Sequence, residues 1–112
     1  MVELHRLECV ACRSGDLSLT YDEILRWNRE IPKWEVKEVV GVQRLERVFT
    51  FKDFVQAMAF AINIGKLAEQ ENHHPLMIIE YGKVTVDWWT HKVKGLHVND
   101  FIMAAKIDRV YK

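Results

Sequence analysis

Apolar residues along this chain recur with two periods, three to four residues in some stretches and two in others, and the switches between them mark the elements. Thr20-Tyr21-Asp22-Glu23 forms a capping box, in which the Thr20 hydroxyl accepts the Glu23 N–H and the Glu23 side chain reaches back. A helix is expected from there to about Glu30, with Ile24, Leu25 and Ile31 on one face, and Pro32 stops it. Trp34 to Val40 is rich in β-branched and aromatic residues, Gly41 is the turn candidate, and Val42 to Phe49 alternates as a second strand.

Thr50-Phe51-Lys52-Asp53 is a second cap signal. Phe51, Phe54, Val55, Met58, Ile62 and Leu67 or Ala68 then recur at helical spacing, so the longest helix should run to about Glu71. Asn72-His73-His74-Pro75 ends it, because proline cannot continue a helix and biases the residue before it toward extended geometry. Leu76 to Tyr81 and Val84 to Thr90 form a second hairpin around Gly82-Lys83, with Val84, Val86 and Trp88 on one side and Thr85, Asp87 and Trp89 on the other. Asn99 or His97 caps a last helix through about Tyr111, with Phe101, Ile102, Ala105 and Ile107 as its apolar contacts. The order α-β-β-α-β-β-α implies an α+β fold, a four-stranded antiparallel sheet with three helices packed on one face. Its other face meets water or another subunit. Residues 1–16 are polar, carry Ser14-Gly15-Asp16, and read as an irregular N-terminal arm of a single domain spanning 1–112.

Composition narrows the function more than the fold. A length of 112 residues leaves room for one core. Apolar residues at 49% and charged residues at 29% are ordinary for a globular chain. With 16 basic and 16 acidic residues the formal net charge is zero, so no basic excess points to nucleic acid. No apolar run approaches the roughly 20 residues that span a bilayer, and Met1-Val2-Glu3-Leu4-His5-Arg6 lacks the pattern of a signal peptide, so cytoplasmic residence is the expectation. Cys9 and Cys12 are too few for a disulfide framework. They form half of a zinc site at most, which histidines would have to complete.

The chemistry concentrates in adjacent histidines at a helix end, His73 and His74, a third after a strand, His91, and a carboxylate nine residues later, Asp100. Imidazole titrates near neutrality, with a reference pKa of about 6.5, so it can both donate and accept a proton. A dehydration needs both moves. On spacing alone, catalysis, metal binding and a structural role at a helix end all stand open.

The wider pattern, Glu69-x-x-x-His73-His74-Pro75 followed by Tyr81, Thr90-His91-x-x-x-Gly95-Leu96 and Asp100, resembles the signature of the pterin-4a-carbinolamine dehydratases. Phe49-Thr50-Phe51-Lys52-Asp53-Phe54 is similar to that family's strand-to-helix segment, and Trp34 to the tryptophan opening its first strand. The resemblance covers roughly residues 17–110. It implies a hydro-lyase that removes water from 4a-hydroxytetrahydrobiopterin, formed when aromatic amino acid hydroxylases use tetrahydrobiopterin, to give quinonoid dihydropterin. It also implies no metal and no bound cofactor, and a homodimer or homotetramer joined through sheet edges, without nucleic acid or membrane. Carried over by residue, His73 and His91 are the acid and base, and His74 contacts the pterin ring. Glu69 orients His73 from one helical turn before it, and Asp100 polarises a histidine or touches the pterin. Trp34 walls the pocket, and Asn72 stands where some relatives have aspartate.

Two departures matter. Leu96-His97 replaces the family's Leu-Thr or Leu-Ser, and imidazole is a poorer cap, so Asn99 is the rival start of the last helix. Trp89 stands where relatives commonly carry a smaller residue, and adjacent Trp88 and Trp89 must face opposite sides of the sheet. The remaining histidines, His5 and His97, are expected to face solvent. Competing functions are a protein-binding dimerisation or transcriptional coactivator module, and a dehydratase for another pterin, such as one in molybdenum cofactor metabolism.

Overall fold

The structure, a computed structural model, describes residues 3–10 and 17–111. Its elements follow the expected order: α1 Tyr21–Asn28, β1 Glu35–Val39, β2 Val42–Thr50, α2 Phe54–Glu71, β3 Leu76–Glu80, β4 Lys83–Trp88 and α3 Val98–Val110. Every strand pairing is antiparallel and the sheet order is β1-β2-β4-β3, so β2 and β4 are central and β1 and β3 are the edges.

Local chemistry accounts for the boundaries. Both halves of the Thr20 capping box are made. Helix α2 is capped by Asp53, whose Oδ1 accepts the Gln56 N–H at 2.8 Å, while Thr50 ends β2. The second cap signal is therefore real, but its working residue is the last of the four. The Val40-Gly41 loop has positive φ at both positions, 50° and 79°, the type I′ geometry that matches strand twist.

One face of the sheet presents Leu45, Phe49, Val84, Val86 and Trp88, all fully buried. Helices α2 and α3 lie on that face, and α1 packs against α3. Helix α3 is the most enclosed element, burying Phe101, Ile102, Met103, Ala104, Ala105 and Ile107. Its outer side is covered by the N-terminal arm, where a 3-10 turn at Leu4–Arg6 sinks Leu4 into the core. The described part of that arm is therefore ordered against the body, a single apolar residue being too little to register as a period. His5 is only partly exposed, and its carbonyl accepts from Lys106 Nζ at 3.2 Å.

Trp34 is 2% exposed and belongs to this core. Its Nε1–H donates to Asp108 Oδ1 at 2.8 Å, and its ring meets Phe49 edge-on at 5.8 Å. Arg47 Nη1 donates to the same oxygen at 2.6 Å. Burial raises the Asp108 carboxyl, while the Trp34 and Arg47 donors pull it down.

The open face carries charge close to the backbone. Lys37 Nζ meets Glu46 Oε1 at 2.5 Å, and Glu46 stands opposite Asp87 in the β2–β4 ladder. Burial, and next the Glu46 carboxylate, pushes Asp87 up to about 6 against the pull of Arg44. Glu46 is held below its usual value by the Lys37 hydrogen bond. A raised carboxyl holds its proton better in the folded chain than in the unfolded one, where it titrates near about 4. Its stabilising contribution is thus complete at low pH and is lost as pH rises through about 6. Denaturant unfolding between pH 4 and 7 should show a smaller loss of stability with rising pH in Asp87→Asn than in the unaltered protein.

Candidate active site

Helix α2 stops in a Schellman motif. Asn72 adopts the left-handed conformation, φ 53° and ψ 42°, a geometry asparagine tolerates better than most residues. The Asn72 N–H donates to Glu69 O at 3.3 Å and the His73 N–H to Ala68 O at 3.1 Å. This turn reverses the chain between helix and strand and separates the two histidines. His73 goes inward, with its side chain 13% exposed, and His74 outward at 55%.

The consequences differ from a continued helical register. Glu69 pairs with His74 Nε2, not with His73. Both partners are exposed, so that pair contributes little to stability. His73 Nε2 instead meets Asp100 Oδ1 at 2.6 Å, and its ring stacks on Trp88 at 5.4 Å with an interplanar angle of 11°.

Asp100 is fully buried. Its Oδ2 accepts the Thr90 hydroxyl at 2.8 Å and the His97 N–H at 2.9 Å. The latter is half of a capping box at α3, whose N-cap is His97: Nδ1 of that ring accepts the Asn99 N–H at 3.1 Å. Imidazole thus serves as the cap, and Asn99 lies inside the helix. His97 is partly covered in doing so.

His91 opens a short 3-10 turn, His91–Val93, directly after Thr90. Its ring is exposed and lies 4.9 Å from that of Trp89. His73, His74 and His91 together line one cavity of about 430 Å³, shared with Asn72, Trp89 and Asn99 among others. Asp100 stands behind the cavity wall, and Glu69, Trp34 and Tyr81 are not in its lining.

The far wall is the N-terminal arm. Asn99, 2% exposed, receives the Val10 N–H at 3.0 Å on Oδ1 and donates from Nδ2 to Val10 O at 2.6 Å. Glu71 Oε1 accepts the Cys9 N–H at 2.9 Å. Cys9 therefore lines the cavity, and Cys12 lies outside the described residues. Among the described residues, no three of His, Cys, Asp and Glu converge closely enough to hold a metal ion. Asn99 and Glu71 escape a sequence reading, since one looks like a cap and the other like a helix end. Only their side-chain bonds to residues 9 and 10 reveal them.

A family model described as Pterin 4 alpha carbinolamine dehydratase matches residues 18–110. The chain belongs to that family. A dehydratase of this name from Chlorobium limicola, itself provisionally assigned, is 53% identical over 112 residues, covering 100% of this chain and 99% of the relative. Another from Chlorobium luteolum, with the same provisional standing, is 49% identical over 112 residues, at 100% and 98% coverage. A crystal structure of a transcriptional coactivator/pterin dehydratase from Brucella melitensis matches with a TM-score of 0.76 at 32% identity, over 85% of this chain and 99% of that one. The family is one of hydro-lyases. No helix among the described residues is long and apolar enough to cross a membrane.

Within this dehydratase fold one buried amide, that of Asn99, adds two hydrogen bonds to the arm's attachment. Asn99→Ala leaves the Val10 backbone groups without that partner, and should cost about 1–3 kcal/mol in urea unfolding. Limited proteolysis should then cut the arm faster.

Proposed function

We propose that the chain is a 4a-hydroxytetrahydrobiopterin dehydratase acting by histidine acid–base catalysis. The observation that carries this reading is the convergence of three imidazoles on one cavity, one of them backed by a buried carboxylate. In the reaction the C4a–OH bond breaks and the oxygen leaves as water after protonation. The adjoining ring nitrogen loses its proton, and a C=N bond forms to give the quinonoid dihydropterin. One group must supply a proton while another takes one.

The geometry favours a division of labour. Asp100 holds Nε2 of His73, leaving Nδ1 to face a ligand, and compensates the charge that His73 acquires on accepting a proton. His73 is then the base that takes the nitrogen proton. His91 makes no side-chain hydrogen bond among the described residues, and is the acid that delivers a proton to the leaving hydroxyl. His74, at the rim, contacts the ring, and Asn72 shapes the turn that carries both histidines. The mechanism calls on no metal or bound cofactor, because acid–base catalysis by positioned side chains supplies about 10²–10⁴-fold acceleration. The reading includes cytoplasmic action on a free pterin.

A homo-oligomer joined through sheet edges belongs to the same reading. Edge strand β3 exposes Leu76, Ile78 and Ile79, and an unpaired edge invites pairing. Light scattering at micromolar concentration should return a dimer or tetramer mass, and a monomer would contradict this part.

The catalytic assignment is tested by stopped-flow dehydration of synthetic carbinolamine. His73→Ala and His91→Ala should each lose about 10²-fold or more, and the double variant should fall to the uncatalysed rate. Unchanged turnover in the double variant would refute the roles.

A further inference from the structure

His73 and His74 each have a carboxylate partner, and His91 has none among the described residues. An exposed imidazole on a short 3-10 turn is free to sample several staggered rotamers. The side chain beside it comes from just past the end of β4. Trp89 lines the cavity beside His91, with ring centroids 4.9 Å apart and planes inclined by 52°. Tilted aromatic contacts of this kind favour particular orientations.

Trp89 is itself held. The Arg44 guanidinium carbon lies 3.8 Å from the indole centroid. The ladder explains why: Leu45 pairs with Trp88, so Arg44 comes level with Trp89 one step beyond the last pair. Asp87 Oδ2 anchors Arg44 Nη1 at 3.4 Å from the same sheet face. Arg44 is mostly buried there, and a planar guanidinium can cover an indole in a way that a lysine ammonium cannot.

We propose that Trp89, clamped by Arg44, is the positioning residue that holds the His91 imidazole in its working orientation. The proposal rests on the acid–base reading of His91, but it has a readout independent of turnover. It assigns Trp89 no contact with the reacting atoms. The wall acts through His91, and its loss appears in the catalytic step more than in substrate binding.

The test combines NMR of the histidine ring protons with kinetics. In the full chain, His91 should show ring-current-shifted resonances. Trp89→Leu should move them toward free-imidazole positions while leaving His73, which stacks on Trp88, unchanged. The same variant should lower kcat about tenfold and change KM less than about twofold, since misplacement by even about 1 Å can cost about 10²-fold. Trp89→Phe should restore most of the shift and rate, and Arg44→Met, which leaves the indole in place, should give an intermediate result. In a His91→Ala background, Trp89→Leu should cause no further loss. His91 resonances unmoved in folded Trp89→Leu, or an equal loss of rate with and without His91, would overturn the proposal. Should Trp89→Leu fail to fold, Trp89→Phe and Arg44→Met decide by the same shifts. Absence of turnover in the unaltered protein would count against the dehydratase reading alone, because the His91 shifts still report positioning.

Discussion

The Asp100 carboxylate ties the start of α3, the segment after β4 and the end of α2 to one point. It caps α3 through the His97 N–H, receives the Thr90 hydroxyl from the end of the β4 segment, and meets the His73 imidazole at the end of α2. A carboxylate with no exposure is tolerable only when its lone pairs are occupied. Each of the three contacts therefore bears on the packing of this region as well as on site geometry. If one is misplaced, the helix start, the strand end and the His73 ring all lose their common reference. The requirement that makes Asp100 expensive to bury thus fixes His73 in space.

The stop of α2 is the second constraint. Had the helix continued one more turn, Glu69 and His73 would have shared a face. The left-handed Asn72 rotates the chain instead, and His73 turns toward Asp100 while His74 turns to the rim. The two adjacent imidazoles acquire different environments from one backbone conformation. A stacked, carboxylate-bound ring and an exposed ring paired with Glu69 suit different tasks.

Most of the architecture was legible because it depends on period and local chemistry. The alternation of Val84, Val86 and Trp88 against Thr85, Asp87 and Trp89 fixed the two faces of β4, and the Thr20 capping box and the break at Pro75 fixed helix ends. The histidine pattern led to the correct family and to residues that do share a cavity. What the sequence hid depends on partners far away. Trp34 looks like a ring awaiting a ligand until Asp108, 74 residues later, is seen to accept its N–H. His97 looks like a weak cap until Asp100 completes the box from the other side. Glu69 has the spacing to serve His73, and only the handedness of the next residue decides otherwise.

The same long-range logic explains why the cavity sits where β4 ends. Trp88 and Trp89 must face opposite sides of the sheet, so the chain passes from core to open face within one peptide. On the inner side Trp88 supports His73, and on the outer side Trp89 lies beside His91. The pleat thereby places one histidine against the packed core and the other against a charged open surface. One ring is held by a hydrogen-bonded carboxylate and a stacked indole, and the other by a tilted indole with arginine behind it. On the proposed acid–base reading one group takes a proton while another delivers one, and unequal surroundings suit two imidazoles to those opposite tasks. Adjacent positions on a strand end supply that inequality without further machinery, since period two alone puts their surroundings on opposite faces.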